Sequence, residues 1–246
     1  MMKVLSSFEL LRIWEEETDH SLIQKTIRLL SEAFEEDAKT IAHLSIGQRD
    51  ARMLQLREWM FGSRLRHITN CPQCKDTIEW ETNTSDLKFQ SITPEPAVDT
   101  YTLDKDGYTI RFRLPDSYDM AKAIADPAYH TDQKKLIADC ILEKRLGSAN
   151  LETHELPGEI WNALDEEMER KDPQADIQMN ILCPSCSHQW SAGFDIVAFL
   201  WAEIKNWAHR VMQDVYLLAH SFGWSEKDIL NMSARRRQLY IQMLTT

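Results

Sequence analysis

The sequence predicts an α+β fold, mostly helical, in which short antiparallel hairpins form a split ribbon interrupted by a small inserted α+β unit. Three observations lead there. Two knuckles, Cys71-Pro72-Gln73-Cys74 and Cys183-Pro184-Ser185-Cys186, each lie between short extended segments, and 108 residues separate Cys74 from Cys183. Apolar residues recur at three- and four-residue steps at both ends of the chain. Midway, an Asp106-Gly107 turn signal sits between two β-rich halves.

In chain order, Leu10, Leu11, Ile13 and Trp14 behind Ser6 and Ser7 predict a first helix, and Leu22, Ile23, Ile27, Leu29, Leu30 and Phe34 a second. Ser45 caps a third that ends at Gly62, a residue suited to the left-handed conformation after a helix. Residues 1–63 are thus expected to be a helical module. Residues 64–90 and 177–195 are the two halves of the ribbon, with strands at Leu65–Thr69 and Thr77–Glu81 around the first knuckle and at Ile177–Leu182 and His188–Phe194 around the second.

Residues 91–176 form the expected insertion. It opens with a linker at Pro94–Val98 and a hairpin over Thr100–Leu114. A helix capped by Asp116 or Ser117 ends near Asp126-Pro127. A longer helix runs from Thr131 or Asp132 through Ile137, Ile141 and Leu142 to Gly147, and a last one follows Pro157 from Glu159 to about Arg170. Residues 196–246 have the clearest helical period, from Ile196 through Phe199, Leu200, Ile204, Trp207, Val211, Val215 and Leu218 to Phe222, with Gly223 as its stop. Ser225 and Ser233 cap two further helices.

The knuckles carry the most specific chemistry. Each CxxC pair lets two thiolates reach one metal from a tight turn, so Cys71, Cys74, Cys183 and Cys186 are expected to bind one structural zinc ion. Four thiolates leave no position for substrate or activated water, so this metal is a staple. His67 and His188 stand near the knuckles but are not needed as ligands. Cys140, the fifth cysteine, falls on the apolar side of a predicted helix and is expected to be a buried small hydrophobe.

Composition narrows the function. The net charge of −11 disfavours broad attraction to nucleic acid or anionic membranes, no apolar run is long enough to span a bilayer, and the first residues do not read as a secretory signal. A cytoplasmic chain is expected. Residues 197–246 carry a net +2 while the rest carries −13, so the C-terminal segment is a distinct electrostatic unit. Its Arg235-Arg236-Arg237 cluster, with Trp207 and Trp224, is a candidate docking surface. The acidic clusters Glu35-Glu36-Asp37 and Asp165-Glu166-Glu167 are expected to be solvated surface. The sequence carries no GxSxG, P-loop, HExxH or dinucleotide-binding glycine pattern.

Several phrases together resemble a family encoded beside the baseplate genes of contractile phage tails and extracellular contractile injection systems. They are Leu11-Arg12-Ile13-Trp14; Leu44-Ser45-Ile46-Gly47-Gln48-Arg49-Asp50 leading to Trp59-Met60-Phe61-Gly62; the first knuckle; Phe112-Arg113-Leu114-Pro115; and Ala125-Asp126-Pro127. The second knuckle, Glu203-Ile204-Lys205-Asn206-Trp207, His220-Ser221-Phe222-Gly223-Trp224 and Arg235-Arg236-Arg237-Gln238-Leu239-Tyr240 continue it. The closing segment is similar to baseplate hub or hub-assembly proteins of myophages. The resemblance implies a non-enzymatic baseplate component or assembly factor, partnered by baseplate or hub proteins, cytoplasmic during assembly or incorporated into the tail. The alternative is a zinc-ribbon nucleic-acid binder using Arg235, Arg236 and Arg237 with Arg64 and Arg66. A third possibility, an enzyme on the insertion, requires a pocket with converging polar groups.

Overall fold

The computed structural model describes residues 3, 5–16, 21–88, 100–132, 134–151 and 156–244. The expected linker at Pro94–Val98 lies outside the described residues. The fold is α+β. Its elements are α1 (Ser7–Glu16), α2 (Leu22–Phe34), α3 (Ala38–Ala42), α4 (Ile46–Phe61), β1 (Arg64–Asn70), β2 (Thr77–Asn83), β3 (Tyr101–Lys105), β4 (Tyr108–Phe112), α5 (Ser117–Ala125), α6 (Ala128–Thr131), α7 (Lys134–Cys140), β5 (Ile141–Leu146), β6 (Ala149–Asn150), α8 (Gly158–Lys171), β7 (Gln178–Leu182), β8 (Gln189–Gly193), α9 (Ile196–Phe222), α10 (Glu226–Leu230) and α11 (Ala234–Leu244), with a 3₁₀ turn at Thr84–Leu87.

The chain divides into two compact units, one of residues 1–38 with 196–246 and the other of residues 39–195. Helices α1 and α2 fall in the first unit with the C-terminal helices, and α4 falls in the second with the two knuckle hairpins. In the first unit, Leu11, Ala208, Val211 and Leu230 form a buried cluster, with Trp14, Trp207 and Val215 packed against it. The period of α9 explains the packing, since Ala208, Val211 and Val215 advance by three and four residues along one face. Ser21 and Gln24 close a reciprocal capping box on α2, Gln24 N–H donating to Ser21 Oγ at 3.3 Å and Ser21 N–H to Gln24 Oε1 at 3.0 Å.

In the second unit, β1 and β2 pair antiparallel, as do β7 and β8, and β3–β6 form a separate antiparallel sheet in that order. Ile110 and Phe112 of β4 bury against Ile160, Leu164 and Met168 of α8, with Cys140 and Leu156 completing the cluster. Gly47, in the first turn of α4, donates its N–H to Asp172 Oδ2 at 2.9 Å. A Cβ at Gly47 would stand 2.1 Å from Asp172 Oδ1 and 2.9 Å from the backbone nitrogen of Ala175. That close approach requires glycine. The buried Gln174 donates to the Leu87 carbonyl at 2.8 Å, tying the segment after α8 to the turn after β2.

One element departs from expectation. The long helix expected through Ile141 and Leu142 to Gly147 ends at Cys140, and Ile141–Leu146 is strand β5. Ile141, Leu142 and Leu146 satisfy a helical spacing in isolation, yet β4 offers this segment a hydrogen-bonded partner from Phe112↔Ile141 to Tyr108↔Leu146. Gly147, at φ +58°, then turns the chain into β6. The short helix α3 carried too few periodic residues to be seen, although Ile41 and Ala42 are buried.

Candidate metal centre

The two knuckles are built alike. The pairs Asn70↔Thr77 and Leu182↔Gln189 close their hairpins and leave residues 71–76 and 183–188 as the turns. In one, Cys71 N–H donates to Asp76 O at 2.9 Å and Lys75 N–H to Cys71 O at 3.0 Å; in the other, Cys183 N–H donates to His188 O and Ser187 N–H to Cys183 O, both at 2.9 Å. Lys75 and Ser187, each directly after a second cysteine, take left-handed backbone at φ +66° and +59°. That conformation turns the chain so that backbone N–H groups point at sulfur. The N–H groups of Gln73 and Cys74 act to lower the Cys71 thiol, that of Asp76 the Cys74 thiol and that of His188 the Cys186 thiol.

The turns bring the four cysteines together, with all four sulfurs within 4.8 Å of one another. Cys71 Sγ lies 3.7 Å from Cys186 Sγ, and Cys74 Sγ lies 3.6 Å from Cys183 Sγ. A disulfide needs about 2.05 Å between sulfurs. A tetrahedral thiolate site with metal–sulfur bonds of about 2.3 Å places neighbouring sulfurs about 3.8 Å apart, so this cage has the size of one metal ion. Among the described residues it is the one group of three or more Cys, His, Asp or Glu side chains arranged to hold such an ion.

The surroundings act unevenly on the thiols: against the Asp76 N–H, burial and the neighbouring thiols push Cys74 up to about 12, and against the His188 N–H, burial and the Cys183 and Cys71 thiols raise Cys186. Burial raises the Cys71 thiol, but the Cys74 and Gln73 N–H groups and the neighbouring thiols outweigh it and bring Cys71 down to about 7. The same donors stabilise a thiolate bound to a cation. Ile78, Ile181, Trp80, Trp190 and Ala192 pack around the sulfurs, and Cys71 and Cys183 are buried. His67 has a different use. It is buried, its Nε2 lies 2.8 Å from Thr82 Oγ1, and its ring stacks on Trp80 at 5.0 Å. His188 stacks on Trp190 at 5.7 Å.

Elsewhere in the second unit, polar groups brace the backbone. Asp116 caps α5, accepting the N–H groups of Tyr118 at 2.8 Å and Asp119 at 3.1 Å, and its other oxygen lies 2.9 Å from His43 Nδ1. Arg113 forks onto Asp119, with Nη2 2.8 Å from Oδ1. Burial works to raise Asp119, but Arg113 and the Asp116 N–H hold it low. Cys140 is fully buried, and burial followed by the nearby Asp119 charge pushes its thiol up to about 12.

The candidate docking residues fall in the first unit. Trp207 is half-buried against the α9 cluster. Trp224 stacks on Phe222 at 4.6 Å and meets Tyr240 edge-on at 4.8 Å. Arg235 and Arg236 are exposed. Arg237 turns inward, only 1% exposed, donating to Met232 O at 2.7 Å and Ser7 Oγ at 3.3 Å and lying 4.0 Å from Asp214 Oδ2. The sequence carried no sign of this, because Ser7 lies 230 residues away.

A family model described as T4 bacteriophage base plate protein matches residues 2–201. No curated protein and no solved structure matches the chain. Among the described residues no helix is long and apolar enough to cross a membrane.

Proposed function

The chain belongs to the T4 bacteriophage base plate protein family, and from that premise we propose that it is a non-enzymatic structural or assembly component of a contractile-tail baseplate. It acts by docking to other baseplate or hub subunits, in the cytoplasm while the particle is built or as a part of the tail. The observation that carries this reading is the family match over residues 2–201.

The cysteine cage is a structural zinc site in this reading. The all-sulfur donor set favours zinc over the hard cations that prefer oxygen, and four protein ligands fill its coordination shell. When bound, the ion supplies cross-linking rather than catalysis. It joins two knuckles, with 108 residues between Cys74 and Cys183, which places β3–α8 in a metal-closed loop within the second unit. The two halves act as one zinc ribbon.

The C-terminal helices supply the docking surface, with Arg235 and Arg236 on their exterior and Trp224 half-buried beside Phe222 and Tyr240. Arg237 serves that surface from inside by holding α11 in place. A nucleic-acid role has weaker support with only two arginines of the cluster exposed on an acidic chain. Recovery of the tagged full-length chain from cells assembling its particle, followed by mass spectrometry, tests the proposal. Baseplate or hub subunits should be enriched over a tagged control. Their absence from the recovered material would defeat the docking role.

A further inference from the structure

Helix α11 has an outer face with an unusual order of charge and apolarity. Arg235, Leu239 and Met243 form one row at four-residue steps, and Arg236, Tyr240 and Leu244 form the adjacent row. Each row begins with a cation in the first helical turn and continues with apolar side chains. Leu239 is 49% exposed, Met243 67% and Leu244 40%, while Tyr240 is half-buried beside Phe222 and Trp224. The third row, with Arg237, faces inward. The two outer rows form a stripe about 12 Å long along the helix, from the rise of 1.5 Å per residue.

The two arginines are electrostatically uncompensated. The Arg236 guanidinium lies over the Tyr240 ring, its Nη2 3.4 Å from the hydroxyl, and among the described residues neither Arg235 nor Arg236 has a carboxylate partner. They also stand at the positive end of the α11 dipole, where acidic side chains are favoured and cations are not. Helix α11 contains no Asp or Glu to offset them.

Resting on the docking reading above, we propose that this stripe receives an acidic amphipathic helix of another protein. Its carboxylates lie against Arg235 and Arg236, answering both the side chains and the helix dipole. Its aliphatic side chains cover Leu239, Met243 and Leu244. This is helix-on-helix recognition with anchors at i and i+4. The α11 face of a second copy is a poorer fit, because it brings the same two arginines and no carboxylate.

Two synthetic 16-residue amphipathic helical peptides with identical leucine positions, one flanked by Glu and one by Lys, test this by fluorescence anisotropy against the full-length protein. The Glu peptide should bind at least tenfold more tightly, and the preference should fall with added salt. Combined Arg235→Glu and Arg236→Glu substitution should invert it. Leu239→Ala with Met243→Ala should weaken binding of both peptides, with an unchanged thermal midpoint showing that the exposed substitutions leave the fold intact. Equal affinity for the two peptides, or indifference to charge reversal, overturns the proposal. So does a concentration-dependent dimer in sedimentation that Leu239→Glu with Met243→Glu abolishes, because that assigns the stripe to a second copy. Undiminished recovery of baseplate subunits by the charge-reversed chain sinks this inference and leaves the docking reading standing; their absence with the unaltered chain sinks the docking reading itself.

Discussion

At the scale of single residues, three positions link backbone or burial to measurable stability. Gly47 has no room for a methyl group, so Gly47→Ala should destabilise the protein by about 2 kcal/mol or more, read as a lower thermal midpoint. Ser187 is an exposed non-glycine residue in left-handed backbone, so Ser187→Gly should stabilise by up to about 1 kcal/mol, since relief of strain is partly offset by a looser unfolded chain. Asp50 is raised to about 6, first by burial and then, after partial relief from Arg49, by the Asp195 and Asp172 charges. A folded carboxyl group that holds its proton above its unfolded value stabilises the fold at low pH and loses that contribution as pH rises from about 4 through about 6. Urea denaturation across this window should show the Asp50→Asn chain losing less stability, or gaining more, with rising pH than the unaltered chain.

At the scale of elements, Arg237 fastens α11 to α9 and α1. Arg237→Ala leaves the Met232 carbonyl and Ser7 Oγ without their donor and removes a charge 4.0 Å from Asp214, an effect of about 1–3 kcal/mol. Limited proteolysis should cut near residues 231–233 sooner in Arg237→Ala than in the unaltered chain, whereas Arg235→Ala should leave the rate unchanged. Local sequence made most elements legible. The knuckle hairpins, the Asp106-Gly107 turn, the Asp116 cap and the run of α9 each carry their signals within a few residues of the structure they form. Where the deciding partner is distant, local signals fail: β5 is a strand because β4 stands beside it, and Arg237 is buried because Ser7 and Asp214 are there to receive it. The four clustered cysteines were legible as two pairs because spacing and turn chemistry were local, although their meeting required a long-range fold.

At the scale of the whole molecule, the four-cysteine cluster brings together the turns of two hairpins that flank the β3–β6 sheet and its helices in the sequence of the second unit. An ion bound there stabilises the folded state directly, by about 10–16 kcal/mol in small zinc-dependent folds. A Cys74→Ser or Cys183→Ser chain should therefore lose both metal and compact structure in residues 39–195, seen as lost near-ultraviolet dichroism and faster proteolysis. The most direct measurement is zinc content combined with thiol titration on full-length protein purified without chelator. One zinc per chain is expected, with four cysteines that become reactive in step with metal release. A metal-free protein with the same thermal stability and four freely reactive thiols would contradict it.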